Sequence, residues 1–336
     1  MIADNKKHQA ELHQKEKGDR PLVSIGLPTY NGAKRIVATV TSIINQGYAN
    51  LEIIISDNCS SDSTEKVCTE LCSRHNTIRY FRQKENIGII PNFEFVLNKA
   101  TGKLFMWVAD DDSLEAGILD KYVDFLIAHP DYSLVSGQIQ YWTGNKAEFL
   151  EKDFSMEHNS MYARVISYYS KVKHGAIFYG LMRIEVAAQI KLQNRMGEDW
   201  HVVAKTAYLG KIKMLNCLGY HKRLNGSSKT LKLYAKIIGA TRFSANFPHA
   251  QIAMDAFVEI MTSPLYSRKW LASRLGLAIG ATGAILFNHY FTEFPFIIAG
   301  RFKRLLGIKK PLRSSIKNSF KGEWGILILL FSSLQN

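Results

Sequence analysis

The run Lys103-Leu104-Phe105-Met106-Trp107-Val108 passes through Ala109 directly into Asp110-Asp111-Asp112. A short apolar run bounded by turn residues reads as a buried strand. Three carboxylates at its end repel one another, which is costly unless a cation or a hydrogen-bond network holds them. Hard divalent ions such as Mg²⁺ and Mn²⁺ take oxygen ligands, sharing them between one or two carboxylates and substrate phosphates. The chemical reading is a metal–phosphate site at the carboxyl end of a buried strand. The plainer reading is that Asp112 or Ser113 caps a helix predicted over Leu114–Ala128.

On either side of this run, short apolar segments alternate with helical patterns. Strands are predicted at Leu22–Leu27, Leu51–Ser56, Thr77–Arg82, Lys103–Val108 and Tyr132–Tyr141. Helices are predicted at Lys34–Gln46, Ser63–Arg74, Asn92–Lys99 and Leu114–His129, the third entered through Pro91 with Asn92 as its N-cap. The alternation predicts an α/β fold with a parallel sheet and right-handed crossovers. Ligands of such sheets sit at the carboxyl edges of the strands. The loops predicted there are Pro28-Thr29-Tyr30-Asn31, then Asp57-Asn58-Cys59-Ser60-Ser61-Asp62, then the aspartate triplet.

These loops, in this order, resemble the inverting family 2 glycosyltransferases of bacterial cell-surface polysaccharide assembly. Val23-Ser24-Ile25-Gly26-Leu27-Pro28-Thr29-Tyr30-Asn31 resembles the family's first strand and its P-T-Y-N turn. Ile53-Ile54-Ile55-Ser56-Asp57-Asn58, with Ser60, Asp62 and Thr64, resembles its D-N-x-S-x-D-x-T loop. Asn86-Ile87-Gly88 followed by Asn92 resembles N-x-G…N, the aspartate triplet resembles D-x-D, and Gly197-Glu198-Asp199-Trp200 resembles the later E-D. The resemblance covers about residues 21–215.

The resemblance implies a GT-A fold, a nucleotide-diphospho-sugar transferase with a Rossmann-like mixed sheet and helices on both faces. A mainly helical C-terminal region follows it. By the same resemblance, Pro28, Thr29, Tyr30 and Asn31 line the donor pocket, with Asn86 and Asp110 also on the donor. Asp57 accepts a hydrogen bond from the base. Asp111 and Asp112 hold Mn²⁺ or Mg²⁺. Ala109 stands where the family's fuller D-x-D-D pattern is acidic, so which two of the three aspartates ligate stays open. An Asp at position 57 suits a ring N–H such as that of uracil or thymine, and guanine also offers one. A UDP-sugar is the favoured donor.

The chemistry needs those residue types. A diphosphate leaving group gains charge as the glycosidic bond breaks, and a divalent cation stabilises that charge. An acceptor hydroxyl is a poor nucleophile and needs a general base. Asp199 is that candidate, with Glu198 in reserve, although acids also favour the first turn of a helix for its dipole alone. Trp200 is a candidate sugar platform or a core residue, and Tyr179–Arg183 resembles the segment beneath the acceptor. No phosphate-binding G-x-x-x-x-G-K-[ST] loop occurs, and the Q-x-x-R-W motif of processive synthases is missing after Asp199, which favours a single-addition enzyme.

Charge divides the chain. Through Asp199 there are 23 Lys and Arg against 25 Asp and Glu; after it there are 20 against 4. The expected organisation is an extension over residues 1–20, a GT-A domain over 21–225 and a basic helical region over 226–336. The first twenty residues carry no apolar core of a secretory signal. The four cysteines fit no zinc spacing and read as idle thiols of a reducing compartment. Eight cations from Arg301 to Lys321 are interleaved with Leu305, Leu306, Ile308, Leu312, Ile316 and Phe320, a pattern suited to an anionic membrane surface. Leu275–Phe287 has the length of a core or interfacial helix, and Gly325–Leu330 is too short to cross a bilayer. No nucleic-acid motif accompanies the charge. The expected protein is cytoplasmic, peripheral on the inner face of the cell membrane, and acts on a saccharide or lipid-linked saccharide acceptor. The alternatives are a non-catalytic sugar-nucleotide-binding protein, a basic membrane adaptor, or a nucleotidyltransferase on a similar fold.

Overall fold

The computed structural model describes residues 20–224 and 231–291. The basic run Arg301–Lys321, the apolar stretch Gly325–Leu330 and all but the last residue of the N-terminal extension lie outside the described residues. The chain divides into two compact units, Met1–His289 and Tyr290–Asn336. The sheet and its covering helices belong to the first unit.

The elements run β1 (Val23–Thr29), α1 (Ile36–Ile44), β2 (Leu51–Asp57), α2 (Thr64–Arg74), β3 (Ile78–Arg82), α3 (Ile89–Asn98) and β4 (Leu104–Trp107). Then come β5 (Ser113–Leu114), α4 (Ile118–Ala128), β6 (Tyr132–Thr143), β7 (Lys146–Glu151), α5 (Met161–Lys171), β8 (Leu181–Arg183) and α6 (Ile184–Ala187). The remainder is α7 (Glu198–Leu209), β9 (Lys211–Arg223), α8 (Leu231–Ile237), α9 (Arg242–Asn246), α10 (Pro248–Thr262) and α11 (Leu271–Leu286).

One sheet organises them, in the order β3-β2-β1-β4-β8-β6-β9-β5 with β7 beside β6. The first four strands are parallel, as the alternation predicts. Val23, Ile25 and Leu27 of β1 and Ile53, Ile54 and Ile55 of β2 are fully buried, because helices cover both faces. Ile36, Val40 and Ile43 form the buried stripe of α1 at helical spacing. β8 then runs antiparallel to both β4 and β6, while β6 and β9 are parallel, so the sheet is mixed. Thr29 pairs with Asp57 and Gly26 with Trp107. That register sets the three polar loops side by side at one edge.

Two sequence-predicted helix starts move by about a turn. α3 begins at Ile89, not at Asn92. Asn92 is buried, its Oδ1 accepting from Ser56 Oγ at 2.6 Å and its Nδ2 donating to the Ser56 carbonyl at 3.0 Å, so it staples α3 to β2 instead of capping the helix. The helix after the triplet begins at Ile118. Ser113 and Leu114 are drawn into the sheet by pairing with His221 and Tyr220 of β9, and neither Asp112 nor Ser113 is a cap.

β6 and β9 approach closely where both carry glycine. A Cβ on Gly137 would lie 2.8 Å from the Cys217 carbonyl oxygen and 2.8 Å from Gly219 Cα, both backbone atoms that cannot swing aside. Gly137→Ala is expected to lower unfolding free energy by about 1–3 kcal/mol, read as a lower urea midpoint at unchanged slope.

Candidate active site

The first two edge loops are laced to each other. Asn31 is held at φ 50°, in the left-handed region. Its N–H donates to Ser60 Oγ at 2.8 Å, and its Oδ1 accepts from the Ser61 N–H at 2.9 Å. The Gly32 N–H donates to Thr64 Oγ1 at 2.9 Å and the Ala33 N–H to Asp62 Oδ2 at 3.2 Å. Asn86 Oδ1 accepts from Asn58 Nδ2 at 2.9 Å and from the Gly88 N–H at 3.0 Å, ordering the third loop against the second. Pro28 and Thr29 are buried at the end of β1, and Tyr30 is 47% exposed beside them.

Asp57, expected from the resemblance as a base acceptor, is held by its own loop and by β3. It is fully buried, and both oxygens are taken. Oδ1 accepts from the Ser60 N–H at 2.8 Å; Oδ2 accepts from Tyr80 Oη at 2.8 Å and Arg82 Nη1 at 3.1 Å. Arg82 Nη2 also reaches the Ser60 carbonyl at 3.1 Å. Asp57 therefore closes its own loop, as an Asx turn does, with two donors on Oδ2 and one on Oδ1.

The three aspartates have three different environments. Asp110 accepts from Thr29 Oγ1 at 2.5 Å and from Arg35 Nη2 at 2.9 Å, with Arg35 Nε at 3.3 Å. Burial raises its pKa against the lowering pull of Thr29 and Arg35. Asp112 is buried and held from β9. Its Oδ2 accepts from Tyr220 Oη at 2.9 Å and Lys222 Nζ at 2.8 Å, and its Oδ1 from the Arg223 N–H at 2.7 Å. Burial works against the charge of Lys222, yet Asp112, Tyr179 and Asp111 hold its pKa above the ordinary value. The ammonium also lies 4.6 Å from the Tyr179 ring centre, in cation–π contact. Asp111 makes no side-chain hydrogen bond or ion pair to another described residue. Burial and then Asp112 push its pKa up, opposed by Lys222 and Arg35.

Among the described residues, no group of three or more His, Cys, Asp or Glu side chains converges as a metal cage. A hard cation that keeps substrate phosphates and waters in its shell needs only one or two carboxylates. The unpartnered, half-buried carboxylate of Asp111 supplies one hard oxygen donor group, and Asp110 flanks it. Asp112, expected from the motif to ligate alongside Asp111, is braced by β9, its Oδ2 accepting from two donors and its Oδ1 from one.

Glu198 and Asp199 open α7 behind Gly197, which takes φ 65°. They face different ways. Glu198 is buried, accepting from Arg195 Nε at 2.6 Å with Lys205 Nζ at 3.5 Å. Arg195 in turn binds Glu259 of α10 at 2.9 Å. This network engages Glu198 as a structural ion pair, so it is no reserve base. Asp199 has no side-chain partner among the described residues. Burial raises its carboxyl to about 6, the Trp200 backbone N–H opposing and Glu198 adding to the rise. Gly175 makes room for it: a Cβ there would overlap the Asp199 carboxylate and stand 2.6 Å from its Cγ. Trp200 is 7% exposed and stacked on His249 at 5.8 Å, a core residue and not a sugar platform.

Lys222 and Tyr179 link the triplet electrostatically to Asp199. The charge of Lys222 is felt by both Asp111 and Asp199, and the Tyr179 phenol feels Asp112, Asp199 and Asp111. Tyr179 stacks on Tyr220 at 5.2 Å and 10°, fixing both rings against the triplet. The site thus joins Thr29, Arg35, Asp110, Asp111, Lys222, Tyr179 and Asp199. Arg35, Lys222 and Gly175 were missed by sequence reasoning. Lys222 stands in a basic strand far from every motif, and only the pairing of β9 with β5 brings it to Asp112.

The sequence pattern of the family described as Glycosyl transferase family 2 matches residues 24–190. The chain is 33% identical over 136 residues, 40% of its length and 42% of the relative's, to the GalNAc(5)-diNAcBac-PP-undecaprenol beta-1,3-glucosyltransferase of Campylobacter jejuni. Matches to the first curated relatives span from 13% to 62% of their length. Among solved structures, the fold is similar to S. aureus TarS in complex with UDP-GlcNAc, with 19% identity, 80% of this chain and 81% of that chain covered, and a TM-score of 0.51. It is also similar to the mannosyltransferase PcManGT from Pyrobaculum calidifontis in complex with GDP-Man and Mn²⁺, with 18% identity, 91% and 89% covered, and a TM-score of 0.54. At these identities the structural likeness concerns the fold, and the mixed sheet followed by helices is the GT-A arrangement.

Removing one partner of a buried ion pair strands the other. Asp112→Ala leaves Lys222, whose side chain is 14% exposed, without its counter-charge and is expected to cost about 3–5 kcal/mol, measured by chemical denaturation. Asp112→Ala/Lys222→Met is expected to recover much of that loss, which separates the stranded charge from lost packing.

Proposed function

The chain belongs to glycosyltransferase family 2, and from that premise we propose that it moves a sugar from a nucleotide-diphosphate donor to an acceptor hydroxyl with inversion. Asp199 is the general base in this reading, and Asp111, with Asp110 beside it, holds Mn²⁺ or Mg²⁺. One observation carries the reading. Among the described residues, the site contains two carboxylates without side-chain partners, Asp111 and Asp199, that share the field of one buried lysine.

The donor diphosphate is placed over the turn after β4, and the metal ion, when bound, supplies Lewis-acid stabilisation of the charge that the leaving phosphate gains. Arg35 anchors Asp110 and keeps a cation at the rim of that turn. The acceptor oxygen attacks the anomeric carbon from the side opposite the diphosphate. Its proton passes to Asp199 Oδ as the bond between the anomeric carbon and the phosphate oxygen breaks. A carboxyl raised to about 6 is ionised at neutral pH, yet it is a stronger base than an exposed aspartate. Gly175 gives that carboxylate its place.

The named relative supports a glycan or lipid-linked glycan acceptor in polysaccharide or glycolipid assembly. The two solved neighbours support a nucleotide-sugar donor, and one of them a Mn²⁺ ion. UDP remains the favoured nucleotide, and the cytosolic face of the cell membrane the favoured place of action.

Calorimetric titration of UDP, dTDP, GDP and CMP, with and without Mn²⁺, tests the donor site. One nucleotide is expected to bind in a Mn²⁺-dependent way and to lose that dependence in Asp111→Asn; absence of binding to folded protein would overturn the reading. For the base, Asp199→Asn is expected to lower kcat by about 10²–10⁴-fold with donor binding intact. Gly175→Ala, which pushes on the same carboxylate, is expected to lower kcat in the same direction. The deprotonated form is the active one, so kcat/KM of the wild type should rise with unit slope up to about pH 6 and level off above it. A flat profile down to pH 5, or full turnover by Asp199→Asn, would remove Asp199 from the mechanism.

A further inference from the structure

Helix α11 turns Leu277, Ala278, Ala281 and Ile285 inward, against α5 and α10. Its outward face repeats at every fourth position as Leu271, Leu275 and Ile279, all exposed, and Trp270 just before it is 86% exposed. From Leu275 to Leu286 the helix has no charged residue. α10 does the same on a smaller scale. Ile252, Ala253, Ala256 and Ile260 are buried, and Met254 and Val258, one turn apart on the opposite side, are exposed. Phe243 and Phe247 at α9 and its end are exposed as well, with ring centres 5.5 Å apart. A surface helix of a globular protein ordinarily sets polar residues opposite its buried stripe. Contiguous exposed apolar residues mark an interaction surface.

The charges of the same segment say what covers it. Between residues 231 and 289 the only acids are Asp255 and Glu259. Glu259 is buried against Arg195 and Lys205, and Asp255 is half-buried, accepting from Gln251 Nε2 at 2.9 Å. Lys236, Arg242 and Arg268 are exposed. Every exposed charge among the described residues of this segment is therefore positive. A second copy would bring like charge to like charge. An anionic bilayer offers both things the segment lacks, an acyl boundary for the apolar stripe and negative headgroups for the cations. An exposed tryptophan at the start of such a helix suits the headgroup layer. The span Leu271–Tyr290 is long and apolar enough to cross a membrane by length and composition, with a mean hydropathy of 1.3. One face of α11 is nevertheless committed to α5 and α10, which fits a helix lying along the surface.

We propose that the outward faces of α10 and α11, with Trp270 and the cations around them, form a docking surface for an anionic lipid bilayer. This deepens the membrane-side placement of the proposed transferase and is independent of which sugar is moved. The full chain is to be floated with phosphatidylcholine vesicles with and without phosphatidylglycerol, alongside Leu275→Glu/Ile279→Glu and Arg242→Glu/Arg268→Glu. The wild type should float with the phosphatidylglycerol vesicles. The apolar-face variant should lose at least about tenfold in partitioning, with an unchanged circular dichroism spectrum, because both side chains are exposed. The charge-reversed variant should lose the preference for phosphatidylglycerol. Wild type that stays at the bottom with anionic vesicles, or an apolar-face variant that floats as the wild type does, would overturn the proposal. So would sedimentation showing that Leu275→Glu/Ile279→Glu splits a dimer while leaving flotation unchanged. Nucleotide titration of the same samples keeps the two readings apart: flotation without nucleotide binding would fault the transferase reading alone, and the converse would fault only the docking surface.

Discussion

Asp112 is buried with both oxygens filled, and all three donors, Tyr220, Lys222 and the Arg223 N–H, come from one strand. That strand is the last of the sheet and lies 108 to 111 residues away in the chain. The interaction ties the turn after β4 to β9, and through Tyr220 it fixes the stacked ring of Tyr179 against that turn. A buried carboxylate left unpaired would protonate or unfold its surroundings; paired with an ammonium, a phenol and an amide it holds a turn rigidly. Thr29 and Arg35 hold Asp110 from the other side, so the turn is gripped from both β1–α1 and β9.

The buried and half-buried carboxylates of the protein divide into two kinds. Asp57, Asp112 and Glu198 have their oxygens occupied by donors from neighbouring elements and serve as struts. Glu52 belongs with them, accepting from Ser24, Arg79 and Thr101. Asp111 and Asp199 lack such partners among the described residues, and in both burial raises the pKa. Groups left in that state are the ones a ligand or a proton can reach, because nothing in the fold has neutralised them. The struts set the geometry; the unpartnered pair has chemistry to spare.

The helices after β9 belong to the same construction. Glu259 of α10 binds Arg195, which binds Glu198, whose neighbour in the chain is Asp199. A buried four-membered ion network thus reaches from the C-terminal helices to the first turn of α7. The surface of these helices carries the apolar stripe and the positive charge, so the segment has one face toward the ion network at the start of α7 and another toward whatever lies outside the protein.

The sequence by itself determined a parallel sheet covered on both faces, because runs such as Ile53–Ile55 and Leu104–Trp107 are too apolar to lie anywhere but between two helical layers; the order of its strands came from the structure. It also picked out the polar loops that the register of β1, β2 and β4 sets together at one sheet edge, since Thr29, Asn31, Asp110 and Asp111 stand in ordered motifs. Other features were decided by tertiary structure alone. Adjacent aspartates in a triplet look alike in sequence, but strand pairing between β5 and β9 occupies Asp112 and leaves Asp111 open. Glu198 and Asp199 are likewise adjacent, but at the start of a helix successive side chains point about 100° apart, one into an ion network and the other against Gly175. Lys222, Arg35 and Gly175 belong to no local pattern. Their roles come from contacts between residues far apart in the chain, and a local reading of residue type and spacing does not contain such contacts.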